Sequence, residues 1–280
     1  MTGEFLLEHE PVIRLSAFFG IFAIMAAMEL IAPRRALTVS KGLRWFSNLS
    51  IVALNTVLGR LILPMAPVAF AYLCAEKGWG LFNLTDWPGW LELVVAVILM
   101  DFAIWLQHVM VHAIPMLWRL HRMHHADLDY DVTTGARFHP IEIILSLGIK
   151  FCVIALLGAS PVAVLAFEVL LNATAMFNHS NVRLPLGLDA VLRLFLVTPD
   201  MHRVHHSAIP RECNSNFGFN LPWWDRLFGT YTAQPELGHE GMTIGLDMFR
   251  EERDERLDQM LIQPFRQAKG EYAINRRDWD

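Results

Sequence analysis

Histidine spacing is the feature of this sequence with the clearest chemical meaning. Ten of the 12 histidines fall between residues 108 and 206. Within that stretch the pattern H-x-x-x-H occurs in HVMVH, and the pattern H-x-x-H-H occurs in HRMHH and again in HRVHH. Offsets of three and four residues place side chains on one face of a helix, so each motif can present its imidazoles to a common cavity. With the separate histidine of NHSN, nine residues form the pattern: His108, His112, His121, His124, His125, His179, His202, His205 and His206.

Nine imidazoles are more than one metal ion uses, because a zinc site takes three or four protein ligands. We therefore expect two ions held close together. Imidazole suits iron, zinc, copper and nickel. A zinc hydrolase usually carries a general-base glutamate inside its motif, as in H-E-x-x-H, and none of these three motifs contains one. The pattern favours redox-active iron and O₂ chemistry.

Three further residues are candidates around this centre. His139, in RFHP, is interpreted as a tenth ligand, as a residue behind a ligand, or as a surface residue at a helix start. Asp101 lies seven residues before His108 and shares its helical face, so it could accept a ring N–H and fix the tautomer of a ligand. The alternative for Asp101 is an ion pair with Arg60. Asn178 directly precedes His179 and is a third residue expected beside the centre.

The elements that must position these histidines are membrane helices. Hydrophobic residues make up 54% of the 280 positions and charged residues only 18%, which is too apolar for an ordinary soluble domain. Apolar runs cover residues 12–32, 49–75, 90–107, 141–157 and 161–177. The sequence predicts an all-α integral membrane bundle of about four to five membrane helices, with a cytosolic, histidine-rich helical cap.

Loop charges predict the orientation of this bundle. Arg34, Arg35 and Lys41 follow the first run, which makes that loop cytoplasmic and places the N-terminus outside. The third and fifth runs then end on the cytoplasmic side, with His108 and His179 beside it. The fourth and fifth runs are short, so we expect either two crossings or a shallow hairpin. The histidines crowd one membrane face, which speaks against a transporter, whose ligands lie near the midplane.

Arg60 lies within the second apolar run, where a charge is costly. We expect it to pair with Glu168 or Asp101, or to mark a kinked or partly submerged helix. The net charge of −5 and the lack of a basic stripe argue against nucleic acid as a partner. Cys74, Cys152 and Cys213 are too far apart for a thiolate metal site or a disulfide framework.

The domain organisation is predicted to be simple. Residues 1–250 are expected to form one membrane-embedded domain with a histidine core at 90–232, and residues 251–280 a charged cytosolic helix and tail. Within that last part, 249–269 is interpreted as a charged surface helix.

The three motifs resemble the histidine boxes of the fatty acid hydroxylase/sterol desaturase superfamily of membrane-bound diiron oxygenases. The similarity extends to VTTGARFHPIEIILS (132–146), NHSNVRLP, TPDMHRVHHS and SNFGFNLPWWDRLFGTY (215–231) and covers about residues 90–232. Within that superfamily the chain looks like the bacterial sterol desaturase family proteins similar to alkylglycerol monooxygenase. Some relatives carry a further histidine four positions before the one matching His179, where this chain has Ala175, so His139 or Asn178 becomes a candidate substitute.

The resemblance implies a membrane-bound non-haem diiron oxygenase in a bacterial inner membrane, with the nine histidines as iron ligands. Its reaction would be O₂-dependent hydroxylation or desaturation of an unactivated C–H bond of a fatty acyl chain, sterol or ether lipid. Phe177, Phe217, Phe219, Trp223 and Trp224 are expected either to line the substrate's route or to anchor the interface. No HPGG haem stretch or cysteine cluster is present in the sequence. A separate donor, either a reductase with ferredoxin or cytochrome, or a reduced pterin, is therefore expected.

The residues alone leave two other functions open. One is a zinc-dependent membrane lipid hydrolase, which the absence of a glutamate from the motifs disfavours. The other is a non-catalytic membrane metal-binding protein, whether a carrier or a sensor.

Overall fold

The computed structural model describes residues 3–63, 65–267, 272 and 274. Over these residues the chain is helical, with two isolated β-bridges and no strand. Five stretches are long and apolar enough to cross a membrane: Glu10–Ile31, Lys41–Asn83, Gly89–Ala113, Pro140–Leu157 and Pro161–Asn178. The prediction of an all-helical membrane bundle is confirmed.

Fourteen α-helices and four 3₁₀ turns make up this described part. The 3₁₀ turns are Leu81–Asn83, Thr134–Ala136, Glu252–Glu255 and Gln263–Phe265. The α-helices are α1 (Gly3–Glu8), α2 (Glu10–Ile31), α3 (Lys41–Ile62), α4 (Pro67–Lys77), α5 (Gly89–Ala113), α6 (Pro115–His125), α7 (Pro140–Leu157), α8 (Pro161–Asn178), α9 (Leu186–Leu192), α10 (Pro199–His205), α11 (Pro210–Cys213), α12 (Trp223–Phe228), α13 (Gly238–Gly241) and α14 (Leu257–Ile262).

The α7–α8 hairpin has sequence signals at each turn. α7 begins at Pro140, where a missing N–H costs nothing, and it ends at Gly158 in the left-handed conformation. Ser160 then caps α8 by accepting from the Ala163 N–H. Close packing also requires glycine here, because a Cβ on Gly80 would lie 2.1 Å from the backbone nitrogen of Gly158.

This hairpin is as long as the apolar part of α5. At its tip, the N–H of Ser160 donates to Glu92, which lies in the first turn of α5. At its other end His139 caps the start of α7 and His179 follows the last residue of α8, and we call this the histidine end of the bundle. Each hairpin helix has 18 residues, or about 27 Å at the helical rise. These lengths favour two crossings over a shallow hairpin.

The second apolar run divides into two helices, α3 and α4, and a kinked helix is one of the alternatives expected for Arg60. α3 lies across the histidine end, where Arg44 binds Asp127 and the Asn55 amide donates to the carbonyl of Phe138. α4 completes the crossing, and the following turn packs against Gly158 at the opposite end. The break between the two helices contains Pro64, which lies outside the described residues.

Arg60 does not take the partners expected for it. Glu168 binds Lys150 and Arg14, at 2.8 and 2.7 Å, and so ties α8 to α7 and α2. Asp101 accepts hydrogen bonds from indole and backbone donors instead. Arg60 is exposed near the end of α3, where a long side chain can reach the membrane surface.

The C-terminal segment also departs from its prediction. Where one charged surface helix was expected over 249–269, residues 252–265 divide into two 3₁₀ turns and α14. This segment does not form a surface helix because it packs onto the protein interior, where the fully buried Glu255 binds the guanidinium of Arg137. Residues 268–271, 273 and 275–280 of the predicted tail lie outside the described residues.

Candidate metal centre

Nine buried histidines converge at the histidine end in two neighbouring groups. In each group every residue offers one ligand atom, and these atoms lie within 4.8 Å of one another. The first group contains five residues and the second four: His108, His112, His121, His125 and His205, then His124, His179, His202 and His206.

The ε nitrogens face inward. In the first group the Nε2 of His108 lies 3.1 Å from that of His121 and 3.0 Å from that of His205. In the second, the Nε2 of His179 lies 3.2 Å from those of both His124 and His202. When the ring proton is on Nδ1, each Nε2 carries a lone pair. The short separations therefore bring several lone pairs together. A cation held between them would be coordinated by these lone pairs.

Backbone carbonyls place the proton on the δ nitrogen of three rings. Consecutive carbonyls of Ser215, Asn216 and Phe217 accept from the δ nitrogens of the rings at 205, 202 and 108, at 2.7, 3.3 and 2.7 Å. A carbonyl can only accept, so each of these rings carries Nδ1–H and leaves Nε2 free as a ligand. We call residues 215–217 the carbonyl strap.

Two side chains fix the strap. Asn216 adopts a left-handed φ of 52°, and its amide donates to the carbonyls of Met201 and Thr232. Asp225 accepts from the backbone N–H of Phe217 and Gly218, at 2.9 and 2.8 Å. Asparagine tolerates this backbone conformation better than most residues, which accounts for its place in the centre of the strap.

The remaining outward nitrogens meet different partners. His121 donates to the carboxylate of Glu142 at 2.6 Å, and His112 to the side-chain oxygen of Asn214 at 3.2 Å. Asn214 is oriented by its own amide, which donates to the carbonyls of Pro210 and Tyr272. Glu142 also lines an apolar cavity of about 140 Å³ between α5, α6 and α7.

His179 is held by α8 and by a close glycine. Its Nδ1 donates to the carbonyl of Ala175 at 2.8 Å. A Cβ on Gly135 would lie 3.1 Å from that nitrogen and 2.8 Å from the same carbonyl, so only glycine lets the 3₁₀ turn pack here. Ala175 therefore contributes to the site through its backbone carbonyl.

Within the two histidine groups, three ring nitrogens have no hydrogen-bond partner among the described residues: Nδ1 of His124 and both nitrogens of His206. Leaving a buried polar atom unpaired is costly. A metal ion bound by the Nε2 of His206 would give one of these atoms a partner, and the all-imidazole donor set fits a transition metal.

Burial keeps the rings outside the membrane helices neutral. It lowers the pKa of His124, His202 and His206 well below the ordinary range, and neighbouring rings lower it further. For His179, burial lowers the pKa to about 4, against the opposing effect of the Ala175 carbonyl. Neutral imidazole is the form that binds a metal, so no proton has to leave at physiological pH.

A buried ion network supports the second box from behind. Arg44 on α3 binds Asp127 at 2.6 Å and Asp131 at 2.6 Å, and both aspartates follow the HRMHH motif. Burial raises the pKa of Asp127, but the Arg44 and Arg137 guanidinium groups outweigh it and hold that pKa at about 2. The network fixes the chain as it leaves α6.

Aromatic residues close the membrane side of the site. Phe217 packs against the rings of His112 and His205, with centroids 5.1 and 5.4 Å away. Phe219 packs 5.1 Å from His108 and also belongs to the apolar cluster of the bundle. Of the other predicted aromatics, Phe177 packs among α2 residues, Trp223 is exposed and Trp224 binds Asp101.

Three candidates lie outside the two groups. His139 caps α7 by accepting from the Ile141 N–H, and its other nitrogen faces the carbonyl of Leu261. Asp101 accepts hydrogen bonds from Trp224 and Leu221 rather than from a histidine, because the 220–225 segment packs against its carboxylate. Asn178 donates to the carbonyl of Phe219 at 3.0 Å, so it holds that aromatic residue.

The sequence reasoning missed Glu142, Asn216 and Asp225. Glu142 was detectable, because RFHPIE places a carboxylate in the first turn of a helix that starts at the histidine end. The strap carried no comparable signal, since its ligand-orienting atoms are backbone carbonyls.

Comparison with known proteins agrees with this geometry. Residues 93–230 match the fatty acid hydroxylase family. The chain is 32% identical over 150 residues to an ornithine lipid hydroxylase of Rhizobium tropici, covering 54% of this chain and 44% of that protein. It is 31% identical over 180 residues to the alkylglycerol monooxygenase of Homo sapiens, covering 64% of this chain and 39% of that protein.

A fatty acid hydroxylase of Lecanicillium sp is 27% identical over 160 residues, covering 51% of this chain and 43% of that protein. The chain thus spans less than half the length of these curated relatives. No solved structure matches it. The resemblance to the superfamily predicted from the histidine boxes is confirmed.

Proposed function

We propose that this chain, a member of the fatty acid hydroxylase/sterol desaturase superfamily, is an O₂-dependent oxidoreductase that hydroxylates or desaturates a membrane lipid with two non-haem irons. The observation that carries the proposal is the pair of adjacent all-histidine groups. Five rings would hold one iron and four the other, with His139 outside both sets.

Bound irons would supply the O₂ activation and electron transfer that protein side chains lack. The chain's own residues prepare the site for them. The carbonyl strap keeps three rings in the tautomer that presents Nε2, and Glu142 does the same for His121. Burial keeps the rings outside the membrane helices uncharged, so the metal does not compete with protons.

The aromatic residues at the membrane side would control access to the reacting centre. Phe219 lies between the rings and the apolar bundle, and Phe217 packs against the rings themselves, so both would exclude water from the site. A lipid tail would approach from the bilayer past Phe219, while its headgroup stays at the interface. Excluding water protects a reactive site from side reactions.

The substrate class follows from the relatives by name. One acts as an ornithine lipid hydroxylase and others are alkylglycerol monooxygenases. We therefore propose a lipid with an unactivated C–H bond on an acyl, alkyl or sterol carbon. The cationic loop after α2 would place the histidine end in the cytoplasm of a bacterial inner membrane, with the N-terminus outside. A separate reductase with ferredoxin or cytochrome, or a reduced pterin, would then supply electrons from the cytosol.

The test combines metal analysis with lipid mass spectrometry. Purified protein should contain about two irons per chain, as the two histidine groups require. Cells with the native chain should contain a lipid with one added oxygen or two fewer hydrogens, and cells with His124→Ala should lack it. Zinc as the sole metal, with turnover that continues without O₂, would overturn the proposal in favour of a hydrolase. Bound metal without any change in lipids would indicate a non-catalytic metal-binding protein.

A further inference from the structure

One surface of the protein exposes apolar side chains and buries charged ones, the reverse of a water-facing surface. It is formed by residues 184–196 and 223–228, which we call the apolar shelf. The shelf includes α9, α12 and the turn after α9, and lies outside the five candidate membrane helices. Eight of its large apolar side chains are exposed, up to 79% for Leu186: Leu186, Leu188, Val191, Leu194, Phe195, Trp223, Leu227 and Phe228. Single exposed apolar residues are ordinary, but a contiguous set of this size marks an interaction surface.

The charges of the 184–196 segment point inward. Asp189 and Arg193 are its two charged residues, and both are buried, 6% and 5% exposed. They form an ion pair one helical turn apart; Asp189 also accepts from Thr198, and Arg193 donates to the carbonyl of Ala233. In water the opposite arrangement is favoured, with charges outside and leucines inside.

The shelf is attached to a membrane helix within that helix's apolar run. The indole of Trp224 donates to Asp101 at 2.8 Å, and the ring of Phe228 stacks on Trp105 with centroids 4.8 Å apart. Asp101 precedes His108 by seven residues, so the shelf contacts α5 about 10 Å from the metal centre, on its membrane side. Arg226 is the exposed charged residue of α12, and its guanidinium lies over the ring of Tyr231 at the edge of the shelf.

We propose that the apolar shelf lies in the lipid leaflet nearest the metal centre. Its occupant is the bilayer itself, because the exposed face continues the lipid-facing surface of α5, where Leu106 is also exposed. The shelf adds membrane contact beyond the five crossing helices. The shelf is also linked to the metal centre, because the N–H of Val197, directly after it, donates to the carbonyl of Asn220, and the neighbouring Phe219 packs on His108. The inference concerns position in the membrane and does not depend on which metal is bound.

Accessibility of spin labels tests this position. Single cysteines at Leu188, Val191 and Leu227 are labelled with a nitroxide in the full chain, with the exposed Cys152 replaced by serine. The protein is reconstituted in phosphatidylcholine vesicles containing a minority of phosphatidylglycerol. Collisions with O₂, which partitions into lipid, and with a water-soluble nickel chelate are measured by electron paramagnetic resonance.

Two labelled positions provide the reference values. Leu170 is exposed on α8 and reports the lipid-facing behaviour, while Arg253 is exposed among charged residues and reports the water-facing behaviour. Shelf labels should give a ratio of O₂ to nickel collisions close to that of Leu170 and several-fold above that of Arg253. A ratio close to that of Arg253 overturns the proposal. Low collision rates with both reagents also overturn it, because they indicate that a second copy or another protein covers the shelf.

Trp223 provides a second measurement without any label. Phosphatidylcholine brominated on its acyl chains should quench part of the native fluorescence, and Trp223→Phe should remove a part of that quenching. If the quenched fraction is unchanged in Trp223→Phe, the indole does not lie in the leaflet and the proposal fails even where a labelled variant folds poorly.

Discussion

The Nδ1 of His121 lies 2.6 Å from a carboxylate oxygen of Glu142, and this is the one ring of the nine whose outward nitrogen meets an acidic side chain in the described structure. The other rings meet carbonyl or amide oxygens, a thiol, or no partner. A carboxylate behind a metal-binding histidine fixes the ring and raises its basicity as a ligand. Glu142 therefore gives the five-histidine group a negative charge that the four-histidine group lacks.

Replacing Glu142 by glutamine should separate charge from orientation. Glu142→Gln keeps an acceptor oxygen but removes the negative charge that stabilises the oxidised metal. The midpoint potential of the loaded protein should therefore rise, while metal content stays near two per chain. Glu142→Ala removes the acceptor as well and should weaken metal binding by roughly ten- to a hundred-fold, the usual cost of losing such a partner.

The control for this pair is Glu76→Gln, at an exposed position on α4 far from the metal centre. It should leave both potential and metal content unchanged. An unchanged potential in Glu142→Gln would show that the carboxylate acts only as a structural contact.

The carbonyl strap should depend on the left-handed backbone at Asn216. Asn216→Ala loses the side-chain bonds to Met201 and Thr232 and adds about 1–2 kcal/mol of backbone strain. Asn216→Gly loses the same bonds but relieves the strain. Thermal unfolding of the metal-free protein should therefore rank wild type first, glycine second and alanine last. A glycine variant less stable than the alanine variant would contradict the role given to the backbone.

Much of this site follows from sequence because its ligands lie in short, regular motifs. Offsets of three and four predict which histidines share a helical face, and membrane topology predicts that the faces meet. Glu168 shows the limit of this reasoning. Its partners Arg14 and Lys150 lie on α2 and α7, and the spacing along the chain does not distinguish them from Arg60.

Residues that act through the backbone are harder still to predict. The strap orients the rings through backbone carbonyls, which every residue carries, so residue type says little about them. Asp101 illustrates the converse. Its spacing from His108 on α5 predicts a histidine partner, but the 220–225 segment supplies the donors, and a contact from so distant a segment is not visible in helical periodicity.

Gly135→Ala should selectively damage the four-histidine group. The added methyl would lie 3.1 Å from Nδ1 of His179 and 2.8 Å from the carbonyl it binds, so ring and carbonyl must separate. Iron content should fall from about two to about one per chain, since the other group is untouched. Gly148→Ala is the matched control, because a Cβ there meets nothing within 4 Å. Equal iron content in the two variants would rule out a steric role for Gly135.

Metal-free protein should lose stability in acid. Burial lowers the pKa of His179 from 6.5 to about 4, so the folded ring stays neutral where the unfolded ring takes up a proton. The stabilising contribution is present above pH 6.5 and is lost as the pH falls towards 4. The midpoint of thermal unfolding, measured after chelation, should fall over this interval. His179→Phe should reduce that dependence, and an equally steep dependence would assign it to other groups.

His206 offers a test in which the sign of the effect depends on the metal. Both of its ring nitrogens lack a partner among the described residues, whereas Nδ1 of His205 donates to the carbonyl of Ser215. Each unpaired buried polar group costs about 1–3 kcal/mol. His206→Phe removes two such atoms but keeps an aromatic ring stacked on His125, so the metal-free variant should be at least as stable as wild type. His205→Phe leaves the Ser215 carbonyl without its donor and should destabilise the metal-free protein.

The result should change when iron is added. Both variants should then bind less metal than wild type, and His206→Phe should be less stable than wild type. If His206→Phe destabilises the metal-free protein as much as His205→Phe does, its nitrogens have partners there, and the ring is a structural residue instead of a vacant ligand.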